Sequence, residues 1–516
     1  MSDSDVLVLG AGHNGLVAAL LLAKAGLSVR VLEEKAVVGG ACRTERPFAR
    51  APDLGTSTGA YLLGLMPPEL LEKTGLGLPL RRRDPHYFLP TTGDGYLLLG
   101  SDQAAAKRQF EDFFSAQDFR AHTSMNEELA EIRDDIAPTW LKEPLSVLET
   151  AERYVRPARR QAFVDLCEGS VGDYLERFSF RSDRVKAMYA VTDGFSGMLG
   201  GWDTPGTGMN FLVHNMCRLP GADGTWMLVQ GGMGAVTASL ASLAMAHGAV
   251  IETGRKVESI VVEGGVARGV LLQDGAELRA RAVVCNADPF RMRDMVGEDR
   301  LPAAYNARLD GYRRDGSTLK VNLALSGMPR FTCLPEARGQ HQATIHLLPE
   351  GDVLGSLRSA FEQVRSGQLA DFPSIEWYTT ADPILAGGTG LHNSALFVQW
   401  VPHTIAGSSW EAEEERYTRH LLSICDRFAP GTSSLVVDTF TLTPPKIESY
   451  FGITRGHIHH VDNSFGFDRR LPYRTPLQGL YSCSAGTHPA GAVIGAAGHN
   501  AAMSLLEDLG KARSTG

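Results

Sequence analysis

The stretch VLVLGAGHNG at positions 6–15 decides the fold of this chain, and SVRVLEE follows it at 28–34. Residues 5–9 are mostly apolar, which predicts a short buried strand. Residues 16–25 repeat their apolar positions with the period of a helix, and Gly26 marks its end. A strand, a tight turn and a helix therefore follow one another, which is the context that a phosphate-binding turn requires.

The turn carries three glycines, Gly10, Gly12 and Gly15, in the pattern G-x-G-x-x-G. The first permits the tight turn, the second lets backbone N–H groups approach a pyrophosphate, and the third lets the helix pack closely on the strand. A second strand, predicted at 28–32, ends about 20 residues later at Glu33, where a carboxylate accepts hydrogen bonds from an adenosine ribose. These features predict a dinucleotide site in a Rossmann-like fold, and a glycine-rich turn of an ordinary α/β domain is the alternative.

A glycine doublet follows directly, in EKAVVGGACRTE at 34–45. Gly39 and Gly40, with Arg43 after them, resemble the second fingerprint of flavoproteins related to amine oxidases and phytoene desaturases. In that family the doublet passes close to the flavin diphosphate and ribityl chain, an approach that residues without a Cβ permit. The chain departs from the family at Ala41, where an arginine often stands. The resemblance implies that the dinucleotide is FAD.

A third element lies near the other end of the chain, in SAGTHPAGAV at 484–493. The residue pattern predicts a strand at 480–483, a turn of small residues at 485–491 and a helix at 493–509. A helix N-terminus at a ligand stabilises an anion or a flavin carbonyl through the helix dipole. The segment resembles the closing motif of the phytoene desaturase superfamily, whose turn contacts the isoalloxazine ring.

Two central segments extend the resemblance. In the relatives, the backbone at the position of Val257 pairs with the adenine, and a stretch like VVCNADP at 283–289 returns the chain to the dinucleotide fold. GGMGAV at 231–236 lacks the third glycine of a nucleotide fingerprint. We therefore predict one dinucleotide site and no second site for NAD(P)H. A flavoenzyme of this kind usually takes hydride from an organic substrate and passes electrons to oxygen or a quinone.

The resemblance implies a set of FAD contacts in the glycine turn, the end of the second strand, the doublet, the central segments and the closing motif. The residues concerned are Gly10, Gly12, His13, Asn14, Gly15, Glu33, Glu34, Gly39, Gly40, Ala41, Arg43, Val257, Asn286, Ala485, Gly486, Pro489, Ala492 and Val493.

The expected fold class is α/β, with a Rossmann-like FAD-binding domain of the glutathione reductase type and an inserted α+β substrate-binding domain. The FAD-binding domain is discontinuous and comprises 1–65, 225–295 and 465–516. The substrate-binding domain comprises 66–224 and 296–464. Within the inserted segments the periodicity predicts helices at 103–114 and 127–136 and strands at 317–325 and 394–401.

Hydride transfer to a flavin requires few catalytic side chains. The flavin accepts the hydride, and the protein positions the reacting carbon and excludes water. His488, in the closing motif, is the first candidate for a residue beside the flavin, and a turn-stabilising histidine is the alternative. Lys320 is the second candidate. In the strand predicted at 317–325 it lies opposite the apolar face of Leu319 and Val321. Amine oxidases carry a similarly placed lysine that holds a water near the flavin, and a solvated strand lysine is the alternative.

The cluster GHIHHVD at 456–462 has the composition of a metal site. In a strand, however, His457 and His459 would point one way and His460 the other, and the spacing of a tetrahedral zinc site is missing. We therefore predict no metal. The resemblance implies that His460 and Asp462 line the substrate or flavin cavity, which makes His460 the third catalytic candidate.

Composition limits the alternatives. The 516 residues are 43% hydrophobic and 21% charged, which is enough for two or more cores. The net charge of −9 argues against a broad nucleic-acid surface. The seven cysteines form no CxxC pair, which favours reduced thiols in the cytoplasm, and Cys42 is expected to be a packed thiol. Lys24 interrupts the longest apolar run, so we expect no signal peptide and no membrane span, while peripheral membrane contact stays open.

Four functional hypotheses follow. The first is an FAD-dependent desaturase or dehydrogenase that removes hydride from a C–H or C–N bond of a hydrophobic small molecule, with oxygen or a quinone as electron acceptor. The second is an amine oxidase, which would need an aromatic cage that the sequence does not reveal near the closing motif. The third is a saturase or isomerase that uses reduced flavin. The fourth is a non-catalytic, escort-like protein of this fold, which would need neither Glu33 nor the glycine doublet.

Overall fold

The computed structural model describes residues 4–510 of the chain. Within these residues there are two large sheets of seven strands each, and helices pack on both. The strands are β1 (Ser4–Leu9), β2 (Val29–Leu32), β3 (Thr44–Glu45), β4 (Thr56–Ser57), β5 (Leu80–Arg81), β6 (Tyr87–Pro90), β7 (Tyr96–Leu99), β8 (Leu228–Val229), β9 (Val250–Glu252), β10 (Val257–Glu263), β11 (Val266–Leu272), β12 (Glu277–Cys285), β13 (Thr318–Leu325), β14 (Thr344–Leu347), β15 (Ser374–Thr380), β16 (His392–Gln399), β17 (Val436–Leu442) and β18 (Leu480–Ser482).

Helices fill the connections between these strands. Within residues 4–510, none of them is long and apolar enough to cross a membrane. They are α1 (His13–Lys24), α2 (Pro68–Thr74), α3 (Gln103–Phe113), α4 (Ala116–Ile136), α5 (Val147–Arg153), α6 (Arg160–Glu168), α7 (Val171–Glu176), α8 (Asp183–Tyr189), α9 (Thr207–His214), α10 (Gly234–Ala246), α11 (Pro289–Val296), α12 (Ala303–Tyr312), α13 (Val353–Arg365), α14 (Pro383–Ala386), α15 (Trp410–Phe428), α16 (Thr432–Leu435), α17 (Pro444–Phe451) and α18 (Ala496–Asp508).

The first sheet has the order β10-β11-β12-β1-β2-β9, and β18 pairs with β12. Its centre is parallel, because β1 pairs in parallel with β2 and β12, and these pair in parallel with β9 and β18. Val6 and Val8 of β1 pack into the core that contains α1, and Leu7 packs into the core on the other face. Burial on both faces explains why the strand reads as a continuous apolar run. The strands predicted at 5–9 and 28–32 are confirmed.

Helix α1 begins at His13, inside the glycine turn and three residues before the predicted start. It packs against α10 and α18. A Cβ on Gly15 would lie 2.2 Å from the carbonyl oxygen of Gly10, so a larger residue could not sit in α1 at this distance from the end of β1. The close packing of helix and strand predicted for Gly15 is therefore confirmed.

The second sheet has the order β17-β13-β16-β15-β14-β6-β7. Leu319 and Val321 of β13 are fully buried in a hydrophobic core that they share with β15 and β16. Lys320 lies on the opposite face, as the alternation predicted. The strands predicted at 317–325 and 394–401 are confirmed as β13 and β16.

The predicted helices agree with the structure in place but not always in extent. The helix predicted at 103–114 is α3, and the one predicted at 127–136 is the second half of the longer α4. The helix predicted at 493–509 begins only at Ala496, because Gly495, with a φ of +79°, forms its N-cap. The residues before it extend the turn of the closing motif instead.

The histidine segment 457–460 is a turn, so the strand assumed for it is wrong. The N–H of His460 donates to the carbonyl oxygen of His457 at 2.8 Å. Gly456 and His460 have φ values of +65° and +59°, in the left-handed region that strands do not contain. The side chains therefore do not alternate, and the directions expected for the three histidines do not apply.

The strands of the first sheet come from 4–32, 250–285 and 480–482, and those of the second from 87–99 and 318–442. The first sheet thus lies in the segments predicted for cofactor binding, and the second in the inserted segments. The domain boundaries themselves stay a prediction.

Candidate functional site

A cavity of about 320 Å³ lies where the ends of β1 and β2 face the second sheet. Its wall includes Leu9 and Leu32 from these ends, and Lys320, Glu376 and Phe397 from β13, β15 and β16. Open α/β sheets bind ligands outside the carboxyl ends of their strands, and this cavity lies at such ends. The predicted site residues that line the cavity are Gly10, Gly12, His13, Asn14, Glu33, Glu34, Gly39, Gly40, Ala41, Arg43, Val257, Asn286, Lys320, His460, Ala485, Ala492 and Val493.

The glycine turn forms one part of the wall. Gly10 has a φ of +96°, and Gly12 is the N-cap of α1 and provides no side-chain cap. The first N–H groups of a helix have no intrahelical partner and carry the positive end of the helix dipole, so they can bind a phosphate. Glu33 accepts hydrogen bonds from the N–H groups of Ala11 and Lys35, at 2.8 and 2.9 Å. Each carboxylate oxygen keeps a lone pair for a ribose hydroxyl.

The glycine doublet lies directly against this turn. The N–H of Gly39 donates to the carbonyl oxygen of Ala11 at 2.9 Å, and a Cβ on Gly40 would lie 3.5 Å from the Cα of Gly12. Gly39 and Gly40 have φ values of +123° and +57°. Glycine is therefore favoured at both positions, because the backbone conformation and the close approach of the two turns leave little room for a side chain.

Several cavity residues carry a buried polar atom without a hydrogen-bond partner within the described residues. Among them are His13, Asn14 and His460, at Nε2, Oδ1 and Nδ1 respectively. Burial lowers the pKa of both histidines, so their rings are neutral and each offers one donor and one acceptor. Buried polar atoms need partners, and these atoms fit a ligand as polar as a dinucleotide.

Lys320 is almost fully buried in the wall formed by the second sheet. Its Nζ donates to the carbonyl oxygens of Ser57 and Gly59, each at 2.5 Å, and lies 4.7 Å from the centre of the Tyr61 ring. Desolvation lowers the pKa of Lys320 well below its usual value. The alternative of a solvated strand lysine is therefore wrong.

Two buried carboxyl groups that the sequence did not predict line the cavity. Glu376 lies on β15, where Oε2 accepts hydrogen bonds from the hydroxyl groups of Tyr378 and Tyr61, the latter at 3.4 Å. Burial raises the pKa of Glu376 to about 8. The Oε1 atom is buried and has no partner within residues 4–510.

The second carboxyl group belongs to Asp193, in the turn that follows α8. Its Oδ2 accepts hydrogen bonds from the Tyr87 hydroxyl at 3.4 Å and from Nδ2 of Asn215 at 3.1 Å. Burial raises the pKa of Asp193 to about 7. Like Oε1 of Glu376, the Oδ1 atom is buried without a partner in the described part of the chain. No motif surrounds either acid, so no local sequence signal could have found them.

An aromatic cluster also lines the cavity. The rings of Tyr61 and Tyr378 have centroids 4.1 Å apart at an interplanar angle of 47°, and Phe397 lies edge-on to Tyr61 at 5.2 Å. No local sequence signal marks this cluster, because its members are far apart in the chain. The two tyrosine rings touch each other, so no slot for a substrate lies between them.

His488 is buried outside the cavity wall, together with Gly15, Gly486 and Pro489. Its Nε2 lies 3.2 Å from the carbonyl oxygen of Thr139, and its ring packs edge-on against Phe467. These contacts fit the turn-stabilising alternative. Nδ1 of His488 is buried without a partner within the described residues, and its catalytic role stays a prediction.

Other candidates are placed as follows. His457 and Asp462 form a buried pair at 3.5 Å, and neither lines the cavity. Within residues 4–510, no three side chains of His, Cys, Asp or Glu are grouped as metal ligands. Cys42 is buried, as expected for a packed thiol, and burial raises its pKa to about 12.

Comparison with known proteins identifies close relatives along the whole chain. A mouse protein named pyridine nucleotide-disulfide oxidoreductase domain-containing protein 2 is 35% identical, over 98% of this chain and 94% of its own. The hydroxyneurosporene desaturase of Cereibacter sphaeroides is 28% identical, over 98% of each chain. Among solved structures, a mutant of putrescine oxidase has a TM-score of 0.59 at 17% identity and 99% coverage of both chains. This last likeness concerns the fold.

The model of one protein family, described as flavin containing amine oxidoreductase, matches residues 15–329. This match makes the chain an FAD-dependent oxidoreductase, which argues against the non-catalytic escort-like hypothesis. The glycine turns, Glu33 and the unpartnered polar atoms of the cavity are compatible with FAD. The chain belongs to the family of flavin-containing amine oxidoreductases.

Proposed function

We propose that this protein is an FAD-dependent dehydrogenase or desaturase that removes hydride from a C–H bond of a hydrophobic small molecule. Oxygen or a quinone is the proposed electron acceptor. The observation that carries the proposal is that one cavity joins the glycine turns to a chamber between the two sheets, with Lys320 in its wall. A cofactor and a substrate can therefore meet inside the protein, away from water.

The residues that would hold FAD are those of the glycine turns. The start of α1 would bind the diphosphate, Glu33 the adenosine ribose, and Gly39 and Gly40 would let the backbone approach the ribityl chain. When bound, FAD supplies the hydride acceptor. The chain itself positions the substrate and excludes water from it.

The substrate part of the cavity combines apolar and polar groups. Phe397, Leu442, Ile447 and Ile458 contribute apolar surface to the wall. Desolvation lowers the pKa of Lys320 well below its usual value, and its Nζ donates hydrogen bonds to two backbone carbonyl oxygens.

An amine oxidase is the second candidate, and the family match favours it. The contact between the Tyr61 and Tyr378 rings argues against it, because a substrate amine has no room between them. The preference for a dehydrogenase over an amine oxidase can be tested with a panel of substrates. It would be reversed if amines reduced the flavin faster than hydrophobic alcohols, ketones or alkenes.

The test is the visible spectrum of the purified protein, followed without oxygen after NADPH is added. Flavin bands that persist with NADPH and bleach with a hydrophobic substrate are the expected result. Rapid bleaching by NADPH would overturn the proposal, because nicotinamide would then feed electrons to the flavin, as a saturase, reductase or monooxygenase requires. Bands that no organic compound bleaches would also contradict it.

A further inference from the structure

Glu376 and Asp193 share one arrangement in the cavity wall. In each, one carboxyl oxygen is engaged by hydroxyl or amide donors of the protein. The other oxygen, Oε1 of Glu376 or Oδ1 of Asp193, is buried and has no partner within residues 4–510. Each of these buried polar atoms needs a partner, and a ligand in the cavity can supply one.

The proton positions follow from these bonds. Burial raises the pKa of Glu376 to about 8 and that of Asp193 to about 7, and the charge of Asp193 contributes to the shift at Glu376. Below about pH 7 both groups therefore favour the neutral form. Because Oε2 and Oδ2 already accept hydrogen bonds, the proton lies on the free oxygen. Both free oxygens are thus hydrogen-bond donors to the ligand.

The local charge argues against a cationic ligand. Arg83 is buried next to the cluster and donates to the Trp226 carbonyl and to Oγ1 of Thr344, at 2.9 and 2.8 Å. Its charge acts on Glu376 and on the neighbouring tyrosines. A second buried cation beside this guanidinium would cost more free energy than a neutral acceptor does.

We propose that Glu376 and Asp193 bind the carbonyl oxygen of an uncharged, otherwise hydrophobic substrate through two donated hydrogen bonds. A carbonyl oxygen has two lone pairs and no proton, so it matches two donors. A substrate hydroxyl group would also need an acceptor for its own proton. The free oxygens of Glu376 and Asp193 are protonated and so provide no strong acceptor. The inference rests on the proposed function, and it names the substrate class of the same cavity.

The experiment measures binding to the FAD-loaded protein by calorimetry at pH 6.5, with three probes of one skeleton. The probes are 4-phenylbutan-2-one, 4-phenylbutan-2-amine and butylbenzene. We expect the ketone to bind about tenfold more tightly than either of the others, which is the effect of one to two net hydrogen bonds. An amine that binds most tightly, or a hydrocarbon that binds as tightly as the ketone, would overturn the inference, as would the absence of any binding.

Variants test the donor role directly. Glu376→Gln places an amide N–H₂ where the free O–H stood, so ketone affinity stays within about threefold, whereas Glu376→Leu lowers it about tenfold. Asp193→Asn is expected to behave like Glu376→Gln. A large loss in both amide variants would show that the carboxylate charge binds the ligand and would refute the inference. Glu411→Gln, on the exposed face of α15, is the matched control, and the flavin spectrum reports folding of each variant.

Binding is measured without turnover, so the result is separate from that of the proposed function. A protein that binds the ketone but whose flavin is reduced by NADPH would keep this inference and lose the dehydrogenase proposal. A protein whose flavin is reduced by a hydrophobic hydrocarbon, without ketone binding, would do the opposite.

Discussion

The Glu33 carboxylate accepts a hydrogen bond from the N–H of Ala11 at 2.8 Å and so joins the end of β2 to the glycine turn after β1. Its other oxygen accepts from the N–H of Lys35. Glu33 therefore has two tasks, to fix the turn and to offer lone pairs to a ribose.

Replacement of Glu33 should weaken FAD binding strongly. We expect Glu33→Ala to raise the Kd for FAD about 10- to 100-fold, because a hydrogen bond to a charged group is worth about 1.5–3 kcal/mol. Glu33→Gln should have a smaller effect, since the amide keeps one acceptor. Quenching of FAD fluorescence by the apoprotein measures both values. An unchanged Kd in Glu33→Ala would refute the ribose assignment.

Two helical glycines should respond oppositely to alanine. A Cβ on Gly15 would lie 2.2 Å from the Gly10 carbonyl oxygen, so Gly15→Ala should destabilise the protein by about 1–3 kcal/mol. Gly311, in α12, has nothing within 4 Å of its Cβ position, so Gly311→Ala should stabilise by up to about 1 kcal/mol. Urea denaturation compares the two variants, and equal effects would contradict the packing argument.

Lys320 should make stability depend on alkaline pH. The pKa of Lys320 in the folded protein lies well below the 10.5 of an unfolded lysine, so between the two pKa values the unfolded chain binds more protons and the free energy of unfolding rises with pH. The stability difference between Lys320→Met and the wild type should shrink by up to about 1.4 kcal/mol for each pH unit between the lowered pKa and about pH 10. Urea titrations over this range measure it. The exposed Lys107→Met variant should show no such trend, and a flat difference for Lys320→Met would mean that the buried amine is charged.

Glu376 should make the free energy of unfolding fall as pH rises, which is the opposite of the effect of Lys320. Its folded pKa of about 8 exceeds the value of an unfolded glutamate, 4.5, so its contribution to stability is complete below pH 4.5 and is lost as pH rises to 8. Relative to Glu376→Gln, the wild type should therefore lose up to about 1.4 kcal/mol for each pH unit between 5 and 8. Thermal melts of both proteins in matched buffers test this. Parallel profiles would show that Glu376 is already ionised in the folded state.

The cofactor part of the site was predictable because its signals are local. Gly10, Gly12, Gly15 and Glu33 lie within 24 residues of sequence, and their spacing reflects one strand, one turn and one helix. Local sequence did not predict the conformation of residues 457–460. A strand was assumed there, and the side-chain directions that follow from a strand do not apply to the observed turn.

The sequence by itself determined the parallel strands β1 and β2, the glycine turn between β1 and α1, and through them the family and FAD. Only the tertiary structure decided the substrate part of the cavity, where Tyr61, Asp193, Lys320 and Glu376 come together from four distant segments. The physical reason is that backbone geometry follows from neighbouring residues, whereas burial and pKa depend on which segments pack together. A lysine or glutamate in a strand has the same local pattern whether it faces water or the interior, and its chemistry differs between the two.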